Sequence, residues 1–217
     1  MRRAFNTKIK IYMINNYFSN IRLDLIKLIT KNEIKNALEL GGGDFDTLKY
    51  LVDKYNCKGV GLDIRIPENT ERITFYQCDL DKIETNNFSF DKKFDLIIAG
   101  DVLEHTIYPD KVCRYLQTVL DENGIFILSV PNIRSIRALY WIFIAGIFPR
   151  EPNGLFDKTH RSWFTYRNMK NILEENGFEI INYKPLGRLQ NLFFGKKSIF
   201  SEFLALQHCF VVKKASL

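Results

Sequence analysis

The sequence predicts a doubly wound α/β fold on a mostly parallel seven-stranded sheet, and three observations carry that prediction. Short β-branched or aromatic runs, each closed by Gly, Asp, Asn or Pro, recur along the chain. Segments of helical length, with apolar residues at i, i+3, i+4 and i+7, separate several of them. The triplet Gly41-Gly42-Gly43 follows the first run, where a strand hands over to a helix.

Taken in order, FSNIRLDLIKLITK (18–31) reads as an amphipathic helix lying on the sheet. The buried parallel strands are NALEL (36–40), KGVGLDI (58–64), RITFYQCDL (72–80), FDLIIAGD (94–101) and GIFILSVPN (124–132). Helices are expected at 46–56 and at 109–124, the second ending on the C-cap signal Asn123-Gly124. After Pro131 the alternation pauses for an apolar stretch at 133–150. It resumes with a helix at 166–177, for which Thr165 is the N-cap, and a strand at 178–186. The run FLALQHCFVVKK (203–214) is expected as an antiparallel edge strand, with His208 packed inside it.

No Gly/Ser/Pro-rich linker or repeat divides the 217 residues, so one domain is expected over 1–217. The net charge of +6 is unevenly spread, as net +5 over 1–40, −6 over 41–130 and +7 over 131–217. Basic flanks around an acidic middle suit an anionic partner, and ordinary solvated lysine faces explain them equally well. Cys57, Cys78, Cys113 and Cys209 form no C-x-x-C pair, and the N-terminus MRRAFNTKIK has no secretory h-region, so reduced thiols in the cytoplasm are expected. The longest uncharged apolar run, ALYWIFIAGIF (138–148), is too short to span a bilayer, which takes about 20 residues.

Glu39-Leu40-Gly41-Gly42-Gly43-Asp44 lies at the strand–helix junction where doubly wound sheets bind ligands. Asp63 ends the second strand 20 residues after Gly43, placed to accept ribose hydroxyls. The dinucleotide fingerprint fails, because Asp46 stands where its last glycine is required, and the P-loop Lys-Ser/Thr is absent. Glu39, Asp44 and Asp46 would repel a pyrophosphate and suit an ammonium group, a chemistry that S-adenosylmethionine combines with a ribose.

On these residues the chain resembles the class I S-adenosylmethionine-dependent methyltransferases, over about 35–185. The motifs are ELGGG (39–43), GLD (61–63), CDL (78–80) and FDLIIAGDVLEH (94–105). The resemblance implies a Rossmann-like fold with 35–131 as the cofactor-binding core. It implies cofactor contacts from Glu39, Gly41, Gly42, Gly43, Asp63, Asp79, Leu80 and Gly100. One departure is Phe45, where the family's third glycine usually falls, and this residue alone supports a rival reading as a binding module without turnover.

Asp101, Glu104 and His105 follow strand four, on one face if D-V-L-E-H begins a helical turn. Such a trio can hold a divalent cation, and His105 alone can act as a base. Asp101 as an N-cap with Glu104 facing the helix dipole accounts for the same residues without catalysis. His160 lies in the loop after strand five, which opens on the same sheet edge, so the two histidines can meet. D-x-x-E-H with D-x-x-H-x-x-x-F-T resembles the branch of ubiquinone-biosynthesis and cell-envelope glycan O-methyltransferases. It is also similar to small-RNA 2′-O-methyltransferases, a likeness that implies Mg²⁺ on Asp101, Glu104, His105 and His160. The site expectation is therefore His105 and His160 as catalytic residues, as bare bases or as metal ligands, with a purely structural pair as the third reading.

Arg134, Arg137 and Arg150 flank the apolar residues of 133–150. That arrangement suits a helical lid within a substrate segment at 132–165, an oligomer contact, an interfacial membrane helix or a buried core helix, of which the lid is favoured. Tyr108, Arg137 and Arg161 are the expected substrate contacts. The function expected is a cytoplasmic O-methyltransferase of a small anionic, phosphorylated or nucleotide-linked precursor in capsule or other envelope polysaccharide biosynthesis. The alternatives are the 3′ end of RNA, for which there is little room for a basic track, and a quinone ring.

Overall fold

The computed structural model describes residues 21–86, 88, 90–187 and 199–216. Seven strands form one sheet in the order β3-β2-β1-β4-β5-β7-β6. They are β1 (Asn36–Leu40), β2 (Lys58–Asp63), β3 (Ile73–Gln77), β4 (Phe94–Gly100), β5 (Leu120–Pro131), β6 (Phe178–Leu186) and β7 (Gln207–Lys214). The first five pair in parallel, and β7 runs antiparallel to both β5 and β6. Strand order reverses between β1 and β4, which puts the carboxyl ends of β1, β2 and β4 around one crevice.

Each face of the sheet buries an apolar layer. On one side lie α3 (Pro109–Val119), through Val112, Cys113 and Leu116, and α5 (Tyr166–Glu175), through Met169 and Leu173. The opposite side takes Leu48, Leu51 and Val52 of α2 (Asp46–Tyr55) with Leu25 and Ile26 of α1 (Leu23–Ile26). Thr165 caps α5 as expected, its hydroxyl accepting from the Asn168 N–H. All four cysteines are free and buried. Among the described residues no helix is long and apolar enough to cross a membrane.

Four expectations are corrected. The helix read at 18–31 is a single turn, α1, with 18–20 outside the described residues. Arg22 has non-helical angles and its N–H is taken by Thr47, which stops helix propagation, yet Leu25, Ile26 and Leu28 still reach the core. The helix at 109–124 ends at Val119, since Leu120 is extended and pairs with Phe94. Gly124 serves a close backbone approach instead of a cap: a Cβ there would lie 2.8 Å from the Phe94 carbonyl oxygen.

The third concerns the last strand. It begins at Gln207, because 203–204 belong to α6 (Ile199–Leu204), and it lies one place in from the edge, with β6 outermost. Fourth, the 133–150 stretch is not one helix. It is α4 (Ile136–Leu139) continued by a wide π turn, Tyr140–Ile144, and only Ala138 within those two elements is fully buried.

Candidate active site

At the end of β1 the glycine loop is bent through left-handed angles at Gly41 and Gly43. Gly43 donates its N–H to the Asp63 carboxylate at 3.1 Å, joining the motif to the acid 20 residues on. The other Asp63 oxygen accepts from the Arg65 N–H, so two backbone amides fix this carboxylate at the tip of β2. Glu39 is buried beneath the loop and accepts from the Leu48 N–H at 2.8 Å. Burial pushes its carboxyl up to about 7, against which that hydrogen bond works. Asp79, past the end of β3, accepts from the Asp81 N–H and starts the 3₁₀ turn at Leu80.

Phe45 has φ +56, the left-handed angle a glycine adopts freely. Its ring is fully buried, 4.9 Å from that of Phe75, and fills the space under Gly42 and Gly61. A Cβ on Gly42 would come within 2.5 Å of Phe45 Cδ1. The departure from the expected glycine is thus a core side chain beneath the loop, and it gives no support to a chain that binds without turnover.

Beyond β4 and β5 lies a cavity of about 710 Å³. Asp101, Glu104, His105, Arg137, Asp157 and His160 line it, with apolar walls from Leu155, Leu186 and Leu206. The two histidine rings meet edge to face with centroids 4.8 Å apart. Thr159 gives its single hydroxyl proton to Asp157 (2.6 Å) and lies 3.1 Å from His105 Nδ1, so Nδ1 carries hydrogen and donates to it. His160 Nδ1 is 3.1 Å from the Leu155 carbonyl, which can only accept. Both contacts call for an N–H at Nδ1, which makes Nε2 the basic nitrogen of each neutral ring.

Glu104 is 1% exposed, and neither carboxylate oxygen has a hydrogen-bond partner. Its Oε1 lies 4.0 Å from His160 Nε2. Burial, with Asp101 nearby, holds its carboxyl well above the usual range. Burial and the neighbouring His105 hold His160 below its ordinary value, so burial disfavours the charged form of both partners. Ligand atoms of Glu104, His105 and His160 all lie within 4.8 Å of one another.

Asp101 stands apart from this trio. At φ +57 its carboxylate accepts from Arg22, Ser129 and Gln207. Those three donors turn it away from Glu104, and it caps no helix, because Val102 occupies the N-cap of the 3₁₀ turn Leu103–His105. Arg22 lies over Gly100, where a Cβ would meet Nη1 at 2.7 Å. Nothing local in the sequence marks Arg22 or Gln207 as members of this edge. Tyr108 and Arg161 do not reach the cavity: Tyr108 sits under Lys111, and Arg161 pairs with Asp81 at 3.1 Å. The N–H groups of Arg161 and Ser162 both donate to the Glu104 carbonyl, which aims the Arg161 side chain outward.

The family described as Methyltransferase domain matches residues 13–183. The chain belongs to that family. That membership agrees with the methyltransferase resemblance of its motifs. The methyltransferase is 28% identical over 133 residues to the mitochondrial ubiquinone biosynthesis O-methyltransferase of Bos taurus, covering 59% of this chain and 33% of that protein. An uncharacterised protein of Methanocaldococcus jannaschii is 25% identical over 175 residues, covering 70% of this chain and 66% of the relative. The methyltransferase thus spans about a third and about two thirds of the lengths of these relatives. Its fold matches the crystal structure of a S-adenosylmethionine-dependent methyltransferase from Clostridium acetobutylicum with a TM-score of 0.61, at 14% identity, over 98% of this chain and all of the other.

Proposed function

We propose that this methyltransferase transfers a methyl group to an oxygen of a small acceptor seated in the cavity beyond β4 and β5. The observation that carries the reading is the trio Glu104, His105 and His160, with two imidazoles beside a buried carboxyl that has no hydrogen-bond partner. A hydroxyl acceptor must shed a proton as its oxygen is methylated, and an imidazole Nε2 takes it.

When bound, S-adenosylmethionine supplies a methyl already activated by a sulfonium, so alignment and exclusion of water are the protein's main tasks. Glu39, Gly41, Gly42, Gly43, Asp63, Asp79, Leu80 and Gly100 hold the cofactor in this reading. The buried Glu39 and the fixed Asp63 carboxylate support it. The segment 132–165 acts as a partial lid, contributing Arg137, Leu155, Asp157 and His160 to the cavity wall. His105 and His160 are the catalytic pair, the anchored Nδ1 atoms aiming both Nε2 atoms inward.

Arg137 supports an anionic, phosphorylated or nucleotide-linked acceptor, since it lines the cavity while paired at 2.9 Å with Glu151. Placing that acceptor in capsule or envelope polysaccharide assembly extends the reading by resemblance alone. A second reading, a ring hydroxyl of a quinone precursor, is supported by the apolar walls and by the similarity to the bovine enzyme.

The same trio can hold a divalent cation, and the partnerless Glu104 carboxylate favours one. One carboxylate and two imidazoles suit Mn²⁺, Fe²⁺ or Zn²⁺ better than Mg²⁺, which prefers an all-oxygen set. Such an ion would act on the acceptor oxygen as a Lewis acid. Calorimetry with S-adenosylmethionine, followed by turnover on sugar phosphates, sugar nucleotides and catechols, tests the proposal. Methylation at nitrogen or carbon alone would overturn it.

A further inference from the structure

Within the insert, Ile136, Tyr140, Phe143, Ile144, Ile147 and Phe148 recur at the spacing of one helical face. In a globular protein such a stripe faces the core. Here it faces solvent, with Phe143 74% and Ile144 77% exposed. The opposite side is the packed one: Ala138, Trp141 and Ile142 close on Leu155 and Phe156. The stripe is therefore not left over from core packing, because the insert has a separate inward face.

The charged residues within the insert itself are all basic. Residues 133–150 contain three arginines and no carboxylate. Arg134 is paired with Glu202 and Arg137 with Glu151. Arg150 and Lys158 are exposed and have no carboxylate partner among the described residues. Arg150, two residues after Phe148, donates to the Lys158 carbonyl at 3.2 Å, which brings the two residues together at that end of the stripe. At that end Phe148 also meets the ring of Trp163, which is 38% exposed.

We propose that this face docks on an anionic lipid surface, with Phe143, Ile144 and Ile147 among the acyl chains and Arg150 and Lys158 at the headgroup phosphates. An apolar stripe with a cationic end and aromatic neighbours answers both layers of such a surface. A second copy of the chain would bring the same two unpaired cations and, over 133–150, no carboxylate to meet them. The docking inference does not rest on the acceptor reading, because vesicles report it without turnover.

The test uses the full chain with vesicles of phosphatidylcholine alone and of phosphatidylcholine mixed with phosphatidylglycerol. Cosedimentation should be strong on the anionic vesicles, weak on the neutral ones and reduced by salt. Trp141 and Trp163 are the chain's two tryptophans, so a blue shift of emission on the anionic vesicles reports docking at this face. Phe143→Ser with Ile144→Ser should weaken binding at least about thirtyfold while leaving the far-ultraviolet circular dichroism unchanged. Arg150→Glu should weaken binding to the anionic vesicles while retaining the fold. Absence of binding to anionic vesicles, or undiminished binding by the folded double variant, overturns the proposal. So does a wild-type dimer, broken by the double variant, that ignores vesicles.

Discussion

Arg22 donates from Nη1 to the Asp101 carboxylate at 3.0 Å, across 79 residues of chain. The same guanidinium reaches Asp24 and Ser129, while Gln207 of β7 donates to Asp101 at 2.7 Å. Two segments remote in sequence are thereby tied to the carboxyl ends of β4 and β5. Arg22→Met should lower the unfolding free energy by about 2 kcal/mol in urea titration, since it strips a charged partner from a partly buried carboxylate. Asp101→Asn added to it should cost less than the sum of the two single changes, and strict additivity would deny the coupling.

Asp63→Ala removes a carboxylate held by the Gly43 and Arg65 amides at the mouth of the crevice. Calorimetry should show S-adenosylmethionine binding weakened by about 2 kcal/mol, or some thirtyfold. Undiminished affinity in the folded variant would remove Asp63 from the cofactor site.

Glu104→Gln keeps the shape of a carboxyl whose ionisation burial disfavours. With a histidine base, the variant should retain most activity, and chelators should have no effect. The rate should fall in acid only below the ordinary imidazole value of 6.5, because His160 is held under it. With a bound cation, Glu104→Gln should lose activity, and activity lost to a chelator should return with Mn²⁺ or Zn²⁺.

Glu39 makes stability depend on pH in a direction that can be isolated. Its folded value of about 7 lies above the ordinary 4.5, so the native state holds a proton that the unfolded chain releases. The contribution is full below 4.5 and lost as pH rises to about 7, a change of about 3 kcal/mol. Glu39→Gln should therefore gain on the wild type by that order between acid and neutral pH in denaturant titrations. A pH-independent difference would contradict the assignment.

Arg137→Ala should raise KM for the acceptor and leave S-adenosylmethionine affinity nearly unchanged, since the side chain lines the cavity and not the glycine loop. Steady-state kinetics separate the two, and a loss confined to the cofactor would reverse the division of labour.

Much of the sheet was legible because its signals are local: glycine or proline closing each run, and a period of 3.6 between runs. The meeting of His105 with His160 followed from topology, which sends both loops to one edge. Arg22 with Asp101 was not legible, because no spacing rule links groups so far apart. The outermost place of β6 was missed for a related reason, since strand order beyond β5 is set by pairing and not by sequence order. The sequence marked the insert as an apolar stretch with basic ends and left undetermined which side would face water.

The four thiols determine how this molecule can be handled. Cys57 and Cys78 are pushed up to about 11 by burial, and Cys113 and Cys209 to about 12, so none presents an accessible thiolate at neutral pH. A maleimide should find no site on the native chain. One cysteine introduced on an exposed turn would then be a unique attachment point for a dye or spin probe, without first removing the native four.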